Sequence, residues 1–236
     1  MKIGTLYLIP VPLGPTAPVA VLPATVLATA QSLAFFVAEN AKSARAFLKS
    51  LPVTRPLAEI AIHELNEHTR PADLPALLQP LLSGNDVGLV SEAGCPGVAD
   101  PGAALVELAH QHAIRVVPLV GPSSLLLALM ASGLCGQQFA FHGYLPVKDE
   151  ARAQRLRELE RESRRQVRTQ IFIETPYRNR QLFAAMLAAC AETSRLCIAA
   201  DITLPSEYLA TRTLAEWRRL GPPDIERRPA VFLLQA

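Results

Sequence analysis

Residues 86–102 read DVGLVSEAGCPGVADPG, and this stretch decides the predicted fold. Its apolar run GLV, residues 88–90, is typical of a buried strand, and apolar side chains at helical spacing follow from Leu105 to Ala109. Residues 91–102 between them hold three glycines, two prolines and two acids. Glycine lets a backbone approach a ligand closely, so the loop predicts a cradle for a cofactor. A buried strand that leads through such a loop into a helix indicates a parallel α/β sheet.

The same alternation of strand and helix extends along the chain. Apolar runs near residues 4, 32 and 114 predict further strands. The spacing of leucine and alanine predicts helices over residues 40–51, 70–83 and 101–112. Asp100 precedes the last of these helices, and we expect its carboxylate to accept a hydrogen bond from the first turn.

A second half begins after Gly121-Pro122, where the chain also becomes more basic. Strands with antiparallel character alternate there with helices. We therefore predict an α/β protein of two domains, residues 1–120 with a mostly parallel sheet and residues 121–236 with a mixed sheet. A ligand cleft is expected between the domains.

Composition narrows the class of protein. Of 236 residues, 50% are apolar and 19% are charged, which excludes a disordered chain and a coiled coil. No charged residue stands between Lys2 and Glu39, but five prolines interrupt that stretch, so we predict neither a signal peptide nor a membrane span. The four cysteines lack C-x-x-C pairs and the density of a disulfide scaffold, which favours the reducing cytoplasm.

Several motifs of known chemistry are absent from the sequence. It contains no G-x-G-x-x-G, no G-x-x-x-x-G-K-[ST] and no G-x-S-x-G, which argues against dinucleotide binding, Walker-type nucleotide binding and a nucleophile elbow. His63 and His68 are five residues apart, about 140° around a helix, whereas a zinc-binding pair is four apart. We predict no metal site.

The segment from Lys148 to Arg168 is the most basic in the chain, with eight basic residues against five acids. Two interpretations stay open. The segment is a phosphate-binding patch, or it is a solvated helix on which the charges alternate in sign.

Eight stretches together carry a resemblance to a known family. They are GTLYLIPVPLG, VAEN, HELNEH, GLVSEAGCPGVADPG, AIRVVPLVGPSSLLLALMASGL, FAFHGYLPVK, FIETPYR and DITLPSEYLATRTLAE. In order and spacing they resemble the tetrapyrrole methylase superfamily, the class III S-adenosylmethionine methyltransferases. Within it the chain is most similar to the rRNA small subunit methyltransferase I group, which methylates a ribose 2′-hydroxyl.

The resemblance implies a homodimer of two α/β domains with S-adenosylmethionine folded into the cleft between them. A sulfonium cofactor carries no phosphates, so the missing nucleotide motifs are consistent with it. The residues that the resemblance places at the cofactor are Pro12, Gly14, Ala93, Gly94, Cys95, Val98, Ser123, Ser124, Thr175 and Ile202.

Methyl transfer to a hydroxyl also requires a base to remove the proton. Glu92 is the first choice, and Glu174, Tyr177 and Glu67 are the other candidates. Arg178 is expected to orient an anion of the substrate. For each of these residues a structural role, as a cap or a buried hydrogen-bonded group, is equally compatible with the sequence.

The chain departs from the rRNA group where it reads Ala38-Glu39-Asn40-Ala41-Lys42 instead of A-E-D-T-R, and Arg227-Arg228-Pro229 instead of K-G-E. Three functions therefore compete. The first is a cytoplasmic methyltransferase that acts on rRNA in the 30S subunit, and the second is one that acts on a tetrapyrrole or another small molecule. The third is a protein that binds S-adenosylmethionine without catalysis.

Overall fold

The computed structural model describes residues 3–52 and 55–236. The chain forms two compact units that divide between Ser123 and Ser124. Each unit contains one five-stranded sheet.

The sheet of the first unit is parallel throughout, as predicted. Its strand order is β3-β2-β4-β1-β5. The strands are β1 (Thr5–Ile9), β2 (Phe35–Ala38), β3 (Ala61–Glu64), β4 (Val87–Val90) and β5 (Arg115–Pro118). The sequence did not reveal β3, because this edge strand ends on the exposed side chains of His63 and Glu64 and lacks an apolar run.

Helices connect these strands. They are α1 (Pro18–Val21), α2 (Ala24–Ser32), α3 (Ala41–Lys49), α4 (Leu74–Leu77), α5 (Gln79–Leu82) and α6 (Gly102–Gln111). The single helix predicted over residues 70–83 is wrong. A 3-10 turn (Pro71–Asp73) precedes two short helices there. Pro75 and Pro80 each lack the amide that would continue the preceding turn, so each is found in the first turn of a new helix instead.

Alternate side chains of the first sheet pack on opposite faces. Ile9 and Phe36 join the apolar cluster with α2 and α3, whereas Leu6 and Leu89 join the cluster with α4, α5 and α6. A Cβ atom on Gly88 would lie 2.7 Å from Ile9 Cδ1 and 2.8 Å from Phe36 Cε1, so any other residue there would displace these two buried side chains. Helices therefore cover both faces of this sheet, and strands covered on both faces have apolar side chains on both sides. This explains why the N-terminal stretch between Lys2 and Glu39 carries no charge.

The sheet of the second unit is mixed, as predicted, with the order β6-β7-β10-β8-β9. Only the β6–β7 pair is parallel. Its strands are β6 (Phe139–Tyr144), β7 (Thr169–Ile173), β8 (Arg195–Ala200), β9 (Tyr208–Thr213) and β10 (Ala230–Gln235). The helices are α7 (Ser124–Ser132), α8 (Asp149–Gln166), α9 (Asn179–Ala189) and α10 (Leu214–Leu220).

The core of this unit lies between the sheet and helices α8, α9 and α10. Phe172 and Phe232 stack there with their ring centroids 6.1 Å apart. Trp217 on α10 donates its indole N–H to the Leu196 carbonyl at 2.9 Å. None of the helices in the described ranges combines the length and the apolar content that crossing a bilayer requires.

Candidate functional site

The carboxyl edge of the first sheet has the topology of a ligand site. Strands β1 and β4 are neighbours, but the chain leaves β1 toward β2 on one side and leaves β4 toward β5 on the other. Right-handed connections that run in opposite directions lie on opposite faces of a sheet. The loops after β1 and β4 therefore diverge at this point, where open α/β sheets bind their ligands.

A pair of backbone hydrogen bonds joins these two loops. The Val11 amide donates to the Gly94 carbonyl at 2.9 Å, and the Gly94 amide donates to the Val11 carbonyl at 3.1 Å. Gly94 has a φ of +73°, and a Cβ atom there would lie 3.1 Å from Leu13 Cδ2 and 3.3 Å from the Pro122 carbonyl oxygen. The structure thus requires glycine where the sequence predicted a cofactor cradle.

The loop after β5 lies against the same place. A Cβ atom on Gly121 would lie 2.3 Å from Pro10, and the Cys95 thiol lies 3.4 Å from the Pro122 carbonyl oxygen. Segments that follow three strands therefore meet at one edge, and close backbone contacts hold them together.

Asp100 shapes the loop between β4 and α6. Its carboxylate accepts the Gly97 amide at 2.8 Å and the Gly102 amide at 2.7 Å. Gly102 begins α6, so Asp100 bonds to the first turn as predicted, from one residue before the N-cap Pro101. Burial raises the pKa of Asp100, although the two amide hydrogen bonds act to lower it. The carboxylate thereby folds the loop back onto the start of the helix.

Two pockets open beside the joined loops. A pocket of about 400 Å³ is lined by the predicted residues Cys95 and Val98. A second pocket of about 250 Å³ is lined by the predicted residues Pro12, Gly14 and Glu92. Gly94 is buried, and Ala93 is exposed.

Carboxylates gather at this edge. Glu92 is exposed and accepts a hydrogen bond from the Ser43 hydroxyl of α3. Burial raises the pKa of the Glu39 carboxyl, and the carboxylates of Glu92, Asp100 and Glu67 raise it further. Sequence reasoning did not select Glu39 or Ser43 for the site. The available signal was that Glu39 follows β2 as Glu92 follows β4, and that these strands pair.

Apart from Ser124, the predicted residues of the second unit lie in two loops. Glu174 directly follows β7, and its side chain is only 1% exposed. Its Oε1 atom accepts hydrogen bonds from Arg178 Nη2 at 2.6 Å and from the Thr175 amide at 2.6 Å. Arg178, expected to orient a substrate, is thus paired with Glu174. Tyr177 is 76% exposed.

The second of these loops follows β8. Ile202 is buried there between Asp201 and Thr203, which have φ values of +50° and +73°. Asp201 accepts a hydrogen bond from Arg228 Nε at 2.8 Å. Arg228, one of the residues that replace K-G-E, therefore holds this loop in place. Ser123 and Ser124 are both half-buried, and Ser124 begins α7.

In the part of the chain that the structure describes, histidine, cysteine and carboxylate side chains do not assemble into a metal site. Within residues 3–52 and 55–236, no group of three or more of them has an arrangement that could hold an ion.

A family model described as Tetrapyrrole (Corrin/Porphyrin) Methylases matches residues 5–217. The chain belongs to the tetrapyrrole methylase family. It is therefore a methyltransferase with S-adenosylmethionine as the methyl donor, and the predicted enzyme class and cofactor are confirmed.

Curated relatives within this family are similar to the chain over most of its length. Each of the following carries the name Ribosomal RNA small subunit methyltransferase I. The protein of Xylella fastidiosa is 32% identical over 98% of this chain and 80% of its own length. The protein of Vibrio cholerae is 33% identical over 97% of this chain and 75% of its own length. That of Mesorhizobium japonicum is 37% identical over 89% of this chain and 67% of its own length.

Solved structures of tetrapyrrole methylases share the fold. The methyltransferase CobJ aligns with a TM-score of 0.64 at 19% identity, covering 100% of this chain and 94% of its own. The cobalt precorrin-4 methyltransferase CbiF aligns with a TM-score of 0.62 at 14% identity, covering 98% and 94%. These likenesses confirm the predicted α/β architecture.

Proposed function

We propose that this tetrapyrrole methylase transfers a methyl group from S-adenosylmethionine to a ribose 2′-hydroxyl of small-subunit rRNA. The observation that supports the proposal is the length of chain over which the similarity to named relatives extends. Relatives named as rRNA small subunit methyltransferases match 97% and 98% of the chain at 33% and 32% identity, so the similarity includes both units.

The cofactor site belongs, in this proposal, at the carboxyl edge of the first sheet. The pocket of about 400 Å³ lies within the range of small-molecule sites, roughly 300–1,000 Å³. Pro10, Pro118 and the Cys95–Val98 segment supply an apolar wall and backbone polar groups. Such groups suit a ligand with an adenine ring, a ribose and an amino acid end but no phosphates. The other positions taken from the resemblance, among them Thr175 and Ile202, remain proposals for the same cofactor.

Glu92 is the residue that we propose as the base. Methyl transfer from a sulfonium is an in-line displacement, so the enzyme must hold the hydroxyl oxygen about 3–3.5 Å from the methyl carbon. The C–S bond breaks as the O–C bond forms, and the hydroxyl proton passes to a carboxylate. Ser43 engages only Oε1 of Glu92, which leaves Oε2 available for that proton.

The test is a methyl-transfer assay with radiolabelled S-adenosylmethionine and the pure protein. The acceptors are 30S subunits that lack the ribose methylation, fully methylated 30S subunits and a panel of tetrapyrroles. We expect label only in the unmethylated subunits, as a 2′-O-methylnucleoside after digestion. Label in a tetrapyrrole, or in a base rather than a ribose, would overturn the proposal.

A small-molecule acceptor is the second candidate, and the replacement of A-E-D-T-R favours it. Asn40 caps α3 by accepting the Lys42 amide at 2.8 Å, as an aspartate would. Ala41 and Lys42, however, lack the hydroxyl and the guanidinium that the rRNA group has in this segment. The tetrapyrrole panel of the same assay measures this alternative.

The homodimer and the cytoplasmic location implied above also remain proposals. All four cysteines are free thiols, which supports a reducing compartment. Light scattering on the protein as it elutes from a size-exclusion column would measure its molar mass. The mass of a monomer would overturn the proposed homodimer.

A further inference from the structure

Helix α8 carries a row of four arginines on its solvent face. At 100° per residue, the four positions fall within about 100° of the helix circumference. The buried side chains Leu156, Leu159 and Ser163 lie on the opposite face. We name these exposed residues the arginine stripe: Arg157, Arg161, Arg164 and Arg165.

The acidic residues in the middle of α8 interact with groups outside the arginine stripe. Glu158 and Glu162 lie 3.4 Å and 3.6 Å from the guanidinium of Arg155, off the stripe. Glu160 accepts two hydrogen bonds, at 2.7 Å and 2.5 Å, from the turn that follows α9. Glu160 thus ties α8 to the rest of the unit, Glu158 and Glu162 pair with Arg155 within the helix, and none of the three pairs with the stripe.

The stripe is left as a row of like charges. Among the described residues, none of its four guanidinium groups has an ion pair or a side-chain hydrogen bond. The Cβ atoms of residues three or four apart on a helix lie about 5–6 Å from each other, and like charges at this spacing destabilise a helix mildly. Within the stripe the charges do not pair as the solvated-helix interpretation expects, whereas Arg155 pairs with Glu158 and Glu162 on the same helix.

We infer that the arginine stripe binds the phosphate backbone of RNA, an inference that rests on the proposed rRNA function and extends it to a surface outside the methyl-transfer site. A regular row of cations matches a regular row of phosphates, and a guanidinium group binds phosphate through two parallel N–H donors. The stripe contains arginine only.

An anionic membrane is the competing partner. An interfacial helix needs large apolar side chains that enter the lipid. Within α8 no large apolar side chain is exposed, and the exposed Val147 and Val167 lie outside its ends. RNA therefore fits this surface better than a bilayer.

The experiment compares three double variants, of which the two charge reversals lower the net charge equally. R161E/R164E reverses two charges of the stripe. R115E/R219E reverses two exposed arginines elsewhere, and Arg219, like Arg164, stands in the last turn of its helix. R161Q/R164Q removes the two charges without adding repulsion. Melting curves and calorimetric binding of S-adenosylhomocysteine establish that each variant is folded and retains its cofactor site.

RNA affinity is measured by filter binding of 16S rRNA at several salt concentrations. We expect R161E/R164E to bind at least about tenfold more weakly than R115E/R219E near 0.1 M salt. We also expect R161Q/R164Q to lower the slope of log K against log salt by about one for each phosphate that the variant no longer neutralises. Wild-type affinity and slope in the stripe variants would overturn the inference.

The same measurements separate this inference from the proposed function. If the wild-type protein labels 30S subunits but the stripe variants bind RNA like the control, only the stripe inference fails. If the wild-type protein neither binds nor labels RNA, the rRNA function itself fails. Binding to phosphatidylglycerol vesicles that only the stripe variants lose, with RNA affinity unchanged, would assign the stripe to a membrane and overturn the inference.

Discussion

The two units differ in whether the acidic residues that follow their strands have a basic partner. In the first unit Glu39 and Glu92 follow β2 and β4, and within the described residues neither has an arginine or lysine partner. In the second unit Glu174 and Asp201 follow β7 and β8, and each is paired with an arginine, Arg178 or Arg228. Uncompensated carboxylates are available to take a proton, whereas paired ones hold loops in place. This difference supports the proposal that the base lies at the edge of the first unit, and it gives Glu174 and Asp201 structural contacts in the second.

The largest expected effect comes from Glu92→Gln. The amide cannot take the hydroxyl proton, so we expect the methyl-transfer rate to fall by about 100-fold or more, the usual contribution of a general base. Affinity for S-adenosylhomocysteine should stay unchanged by calorimetry. Glu174→Gln is the matched variant in the second unit and should reduce the rate far less. Equal rate reductions in the two variants would remove the distinction between the units.

The ion pair of the second unit is broken by Arg178→Met. This change leaves the buried carboxylate of Glu174 uncompensated, and we expect the free energy of unfolding in urea to fall by about 3 kcal/mol. The double variant Glu174→Gln/Arg178→Met removes the stranded charge as well and should recover most of that stability. If the double variant is as unstable as the single one, the pair does not act as a scaffold.

Gly94→Ala tests the backbone link between the loops of the first unit. The left-handed φ and the close approach to Leu13 and Pro122 should together cost about 2 kcal/mol of unfolding free energy and weaken cofactor binding. Gly133→Ala is the control, because Gly133 has a similar φ of +66° with nothing within 4 Å of its Cβ position. It should lose less stability and keep its cofactor affinity.

The smallest effect is expected for Glu39→Gln. A carboxyl whose pKa is raised in the folded state binds its proton more tightly there than in the unfolded chain. Its contribution to stability is therefore lost as pH rises from the ordinary 4.5 through the raised value. The glutamine variant should match the wild type below that window and exceed it above by less than about 1 kcal/mol, since the side chain is partly solvated.

Urea unfolding at several pH values measures this difference for Glu39→Gln. Glu107→Gln, at an exposed position on α6, is the control. An unchanged or lower stability of Glu39→Gln at neutral pH would contradict the crowding of carboxylates at this edge.

The sequence predicted the parallel sheet and the glycine-rich loop because buried strands and loop glycines leave local signals. It did not predict β3, whose only visible feature is the polar end at His63 and Glu64. It also suggested a continuous helix over residues 70–83, because the leucine spacing there outweighed Pro75 and Pro80.

The candidate site was predictable only in part, for a different reason. Gly94 is recognisable from its own loop. Glu39 and Glu92 are distant in sequence and become neighbours only because β2 pairs with β4. The charge of Arg178 was visible, but its pairing with Glu174 depends on burial, which composition does not report.

Strand β10 has a consequence for how the second unit is made. It lies in the middle of its sheet and pairs with both β7 and β8. Until residues 230–235 are in place, β6 and β7 have no bond to β8 and β9 within that sheet. The continuity of the second sheet therefore depends on a strand that is synthesised after the four others, and on contacts that are distant in sequence.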